Sequence, residues 1–77
     1  MATELKTFDK KEFGLDLYRH RNGIKMSRAQ YAKSLKMRYD QFYVIERLEN
    51  NKIKYLDISI AFNICERMGK NINDYFK

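Results

Sequence analysis

Residues 27–47, SRAQYAKSLKMRYDQFYVIER, are the stretch whose reading decides the fold. Ser27 and Gln30 have the spacing of a capping box, in which each side chain satisfies an otherwise orphaned backbone group of the first helical turn. The spacing predicts a short helix from there to about Leu35, with Tyr31, Ala32 and Leu35 turned inward. Only Lys36 and Met37 separate it from a further helical stretch, about Tyr39 to Leu48, with Phe42 and Ile45 inward. Two short helices joined so tightly meet at a steep angle only if their crossing point is small. Ala32 supplies that small side chain, and Leu35, Met37, Phe42 and Ile45 form an apolar wedge beneath it.

Working outward, Asp9 and Glu12 repeat the capping-box spacing and open a first helix, about Lys10 to Asn22. Phe13, Leu17 and His20 fall on one face of it, and Gly23 is placed to end it in a left-handed conformation. Downstream, the polar stretch from Glu49 to Lys54 reads as a loop or a frayed helix end. A fourth helix follows, about Asp57 to Met68, with Ile60, Ala61, Ile64, Cys65 and Met68 on one stripe and Gly69 closing it. Asn71 then caps a short fifth helix whose Ile72, Tyr75 and Phe76 return to the core. The expectation is an all-α, compact five-helix domain over residues 10–77, preceded by an N-terminal arm, residues 1–9, without clear periodicity.

Composition supports one small folded domain. The chain has 77 residues, of which 44% are apolar and 14% aromatic, more than enough to exclude a disordered chain. Proline is absent and glycine occurs three times, which favours helices joined by brief turns. The lone cysteine, Cys65, has no internal disulfide partner and reads as a small buried hydrophobe in a reducing compartment. With no membrane-length apolar segment and no signal-peptide pattern, the expected location is the cytoplasm.

The net charge is +6, and its distribution is uneven. No acidic residue lies between Asp16 and Asp40, whereas Arg19, Arg21, Lys25, Arg28, Lys33, Lys36 and Arg38 all do; from Gln41 onward the charges nearly cancel. A one-sided basic field attracts polyanions, either nucleic acid or an acidic protein surface.

The run from Ser27 to Arg47 resembles the helix-turn-helix of the Cro and lambda-repressor-like family. Phe13, Gly14, Leu17 and Arg21 match that family's first helix, and Ile45-Glu46-Arg47, Met68-Gly69 and Tyr75-Phe76 match later landmarks. Nearly the whole chain is covered. The sequence departs from the pattern at Lys36, where glycine is usual, at Arg38, where a polar cap is usual, and at Leu48, where glycine is frequent. The connection to the fourth helix is also longer and lacks the usual proline.

The resemblance implies a small phage-type transcriptional regulator, of the kind that serves in a lysis–lysogeny switch in the cytoplasm of a bacterial host. Its third helix would enter the major groove of double-stranded operator DNA while the second lies across the backbone. The groove-facing candidates are then Arg38, Tyr39, Asp40, Gln41, Tyr43 and Val44; arginine can pair with guanine and glutamine with adenine. Arg28, Gln30, Lys36 and Arg47 are better placed for phosphates. The same resemblance assigns Glu46 as the intramolecular partner of an arginine such as Arg21. An alternative stays open. Asp40 is repelled by phosphates, and exposed neighbouring aromatics such as Tyr39 and Tyr43, with Arg38, suit a protein hot spot. On that reading the chain is an antirepressor that binds a partner phage repressor and blocks its access to DNA. In either case a lone domain binds weakly, so a modest homodimer or a heteromeric partner is expected.

Catalysis, metals and cofactors find no support in the sequence. His20 is the only histidine and occupies an apolar slot, no nucleophile sits at a recognisable elbow, and there is no glycine-rich phosphate loop. No enzyme activity, cofactor, small-molecule substrate or membrane association is expected.

Overall fold

A computed structural model of the chain describes residues 7–76. Asp9 accepts the backbone N–H of Glu12 at 3.0 Å and starts α1, Lys10–Gly23. Ser27 and Gln30 complete their capping box in both directions, and α2 follows over Arg28–Ser34. The chain then makes a 3-10 turn at Tyr39–Gln41 before α3, Tyr43–Glu49. After a loop, Asp57 caps α4, Ile58–Met68, through the backbone N–H of Ser59 at 2.8 Å. Asn71 caps a last 3-10 turn, Ile72–Tyr75. The described residues contain four α-helices and no strand beyond an isolated bridge between Phe8 and Phe76, so the chain is all-α.

Two expected helices are therefore corrected. The fifth is a 3-10 turn, too short to build an α-helical ladder before Tyr75 must face the core. The third does not run unbroken from Tyr39: its first residues close a separate 3-10 turn, and α3 proper begins at Tyr43. Gly23 is likewise not the left-handed residue that ends α1. That conformation falls on Lys25, with φ of 57°, and Gly23 remains helical. Gly69 does take the left-handed role at the end of α4, with φ of 71°.

The core follows the apolar stripes closely. Phe13 and Leu17 of α1, Tyr31 and Ala32 of α2, Ile45 and Leu48 of α3, and Ile60, Ala61, Ile64 and Cys65 of α4 are all buried. The tightest helix crossing is α1 against α3. A β-carbon at Gly14 would land on the carbonyl oxygen of Leu48, so only glycine lets the two backbones meet there. Ala32 is fully buried, and its carbonyl oxygen accepts from the backbone N–H groups of both Leu35 and Met37. It thus anchors the turn from within the core.

Residues 1–6 of the expected arm lie outside the described residues. Its last residues are fastened down: the backbone N–H of Asp9 donates to the Tyr75 carbonyl at 2.6 Å, and the Phe8 ring meets Phe13, Tyr75 and Phe76 edge-on or tilted. The Tyr75 hydroxyl donates to Asp16 at 2.8 Å, which ties the C-terminal turn to α1.

Candidate nucleic-acid interface

The α2 and α3 surface is held against α1 by one buried ionic cluster. Arg21 of α1 grips Glu49, the last residue of α3, with two nearly parallel hydrogen bonds, from Nε at 2.6 Å and Nη2 at 2.8 Å. Its third nitrogen, Nη1, donates to the Met26 carbonyl at 2.9 Å, just before α2. Arg28 of α2 adds a third donor to Glu49 at 3.0 Å. The Glu49 side chain is 1% exposed and that of Arg21 11%, so the forked geometry acts in a largely dry site. Hydrogen bonding to Glu49 raises the Arg21 pKa above its usual value, against the opposing cost of burial.

This cluster corrects the partner expected of Arg21. Glu46 points outward and is exposed; the carboxylate that reaches Arg21 lies one turn later, at Glu49. The chain makes the separate 3-10 turn at Tyr39–Gln41 before α3 begins at Tyr43, and in that helical phase Glu49 rather than Glu46 reaches Arg21. The resemblance pointed to Glu46 alone and left Glu49 in the polar stretch that follows the helix.

Of the expected groove-facing residues, Val44 is only 5% exposed and belongs to the core with Ile45 and Leu48. It cannot touch a base, because once α3 starts at Tyr43 the position after it turns inward. Gln41 is half-buried, and its side-chain oxygen accepts from the Arg38 backbone N–H at 3.3 Å. Arg38 and Asp40 are exposed and paired with each other at 3.2 Å. Tyr39 is 87% exposed, its ring 5.4 Å from that of Phe42, and Tyr43 is 54% exposed beneath the guanidinium of Arg47, 5.2 Å from the ring centroid.

Among the expected phosphate contacts, Lys36 is exposed, with φ of 59° in the turn slot where glycine is usual. Gln30 is exposed and spends its side-chain oxygen on the capping box. Arg28 is shared with Glu49, yet its side chain remains 43% exposed. Arg47 is exposed. Lys33, whose carbonyl accepts the Lys36 N–H at 2.9 Å, brings a further cation to the same end of α2. The charge census pointed to it, but the family positions did not.

Past the end of α3, Tyr43, Glu46, Arg47, Asn50 and Lys52 line an open, polar concavity of about 480 Å³. Asn51 takes a left-handed conformation, φ 56°, and the Lys52 backbone N–H returns to the Arg47 carbonyl at 2.8 Å, so the chain folds back beside α3. Elsewhere, burial pushes the Cys65 thiol up to about 11, which keeps it protonated and inert near neutral pH. No helix among the described residues is long and apolar enough to cross a membrane, and no group of three or more of their His, Cys, Asp and Glu residues could hold a metal ion. Comparison with known proteins finds no matching family model, curated protein or solved structure.

Proposed function

We propose that the chain is a small helix-turn-helix regulator that binds double-stranded DNA through the α2–α3 surface, as in a phage-type transcriptional switch. One observation carries this reading. The Glu49 carboxylate at the base of that surface is buried and consumed by Arg21 and Arg28, while Lys33, Lys36 and part of Arg28, the cations of α2 and its turn, face outward. A basic α2 face whose nearest carboxylate is sequestered beneath it attracts polyanions. The exposed Lys33 and Lys36 at one end of α2 and the partly exposed Arg28 at the other are separated by roughly 10 Å, the length of two helical turns. Such spacing lets α2 lie along a phosphate backbone while α3 approaches the groove.

A mobility-shift titration with duplex DNA tests the reading. Lys36→Ala and Arg28→Ala should each weaken binding and flatten its salt dependence by about one contact. Failure of the unmodified chain to retard any duplex at low salt overturns it. Two copies on half-sites about one helical turn, ~34 Å, apart would give the affinity that one domain lacks.

A second reading has its own observation. Tyr39 is 87% exposed on a turn whose two charges, Arg38 and Asp40, neutralise each other. An uncharged aromatic projection suits a protein partner better than a phosphate field. On this reading the chain is an antirepressor that docks on a partner repressor. Tyr39→Ala with Tyr43→Ala should then release a repressor that the unmodified chain retains, and retention of the repressor by the double variant counts against it.

A further inference from the structure

The family positions would place base contacts on Arg38 to Val44, which presumes one continuous helix from Tyr39. The backbone divides that stretch. Tyr39–Gln41 is a 3-10 turn of its own, Phe42 is half-buried beside it, and α3 starts at Tyr43. Residues on one face of an α-helix recur at steps of three and four. From Tyr43 those steps give Glu46, Arg47 and Asn50, and every one is exposed. The opposite steps give Val44, Ile45 and Leu48, and every one is buried. The ion pair from Glu49 to Arg21 fixes this rotation of α3 from within.

We infer that the base-reading set is Tyr43, Glu46, Arg47 and Asn50, which keeps Tyr43 of the groove-facing candidates, moves Arg47 from phosphate to base and adds Glu46 and Asn50, with Lys52 as an added phosphate contact. The inference rests on the DNA-binding reading above and names its specificity residues. Three observations converge on it. The four side chains share the free face of α3 and border one concavity with Lys52. Arg47 is held over the Tyr43 ring rather than paired with a carboxylate, which orders its guanidinium on that face and leaves its donors available. Meanwhile four of the earlier candidates are engaged elsewhere: Gln41 caps the 3-10 turn, Arg38 pairs with Asp40, and Val44 is core. The chemistry of the set is suited to mixed sequence. Arg47 presents the fork that matches guanine, the Asn50 amide matches adenine, and Glu46 accepts from a cytosine amino group. The turn bearing Tyr39 then lies beside the groove rather than in it.

The test is selection of preferred sites from a randomised duplex pool by the unmodified chain, followed by the same selection with variants. Arg47→Ala and Asn50→Ala should each erase the preference at one base position, lowering discrimination there roughly ten- to a hundred-fold. Arg38→Ala and Gln41→Ala should keep the selected sequence. Circular-dichroism melts verify that each variant folds, and Arg47→Lys, which keeps charge but loses the fork, should lose preference while retaining most affinity. If Arg38→Ala or Gln41→Ala alters the selected sequence while Arg47→Ala and Asn50→Ala do not, the inference falls and DNA binding stands. If the unmodified chain selects no sequence at all, the inference falls; if it also binds no duplex, the DNA-binding reading falls with it.

Discussion

Glu49 carries more of this molecule than its place in a polar stretch of sequence suggests. Three donors from two arginines converge on its carboxylate, which joins α1, the start of α2 and the end of α3. Removing one partner of such a pair leaves the other charge buried and uncompensated, a loss of about 3–5 kcal/mol. Glu49→Ala is therefore expected to lower stability by roughly 3 kcal/mol in urea titration, whereas Glu46→Ala, whose side chain is exposed, should change it little. Equal effects of the two substitutions would contradict the assignment. The sequence marked an arginine on α1 as ionically paired and erred only in which glutamate answers it. Helical phase decides that question, and the phase depends on a turn that sequence spacing did not disclose.

At the scale of elements, caps and stripes were readable because they are local. Asp9, Ser27 and Asn71 each accept a backbone N–H at the start of a helix or turn, and Ile60, Ala61, Ile64 and Cys65 of the α4 stripe are buried. What could not be read depends on contacts distant in sequence. Gly14 was a match in a pattern, and only the approach of α3 reveals why it must be glycine. Gly14→Ala should force α1 and α3 apart; overpacking of this kind costs about 1–3 kcal/mol, and a backbone obstacle puts it at or beyond the upper end. Thermal melts should show a large fall in Tm, and an unchanged Tm would mean that the helices do not cross there. Similarly, nothing in the residues themselves announces that Lys25, Lys36 and Asn51 adopt left-handed conformations. Asparagine tolerates that region and lysine does so at a cost, so the sequence's one obvious turn former, Gly23, drew the reading away from Lys25. The site suffered for the same reason: a continuous third helix was the simplest extrapolation, and the 3-10 turn at Tyr39–Gln41 rotates its candidates out of register.

For the whole molecule, the buried titratable groups set how stability depends on pH. Burial raises the Cys65 thiol to about 11 and the Tyr31 hydroxyl to about 12, and burial with the hydrogen bond to Asp16 raises Tyr75 as well. Each group is neutral when protonated, and the folded state holds its proton more tightly than the unfolded chain. Their contribution is thus complete below the unfolded values, near 9 for Cys65 and 10 for the tyrosines, and is lost as pH rises through the folded ones. Urea titrations should show stability falling between about pH 9 and 12, with Cys65→Ala removing the earliest part of the fall. A stability that holds level through that range would mean the core is more open than the buried side chains indicate. The same charge pattern governs the partner, because a chain of net charge +6 with its key carboxylate sequestered presents a basic face outward. The most direct measurement is the affinity of the purified chain for duplex DNA across a series of salt concentrations. On the proposed DNA-binding reading, four phosphate contacts, from Arg28, Lys33, Lys36 and Lys52, give an expected slope of log affinity against log salt of roughly −3.6. Binding that is absent at low salt, or indifferent to salt, would contradict the account.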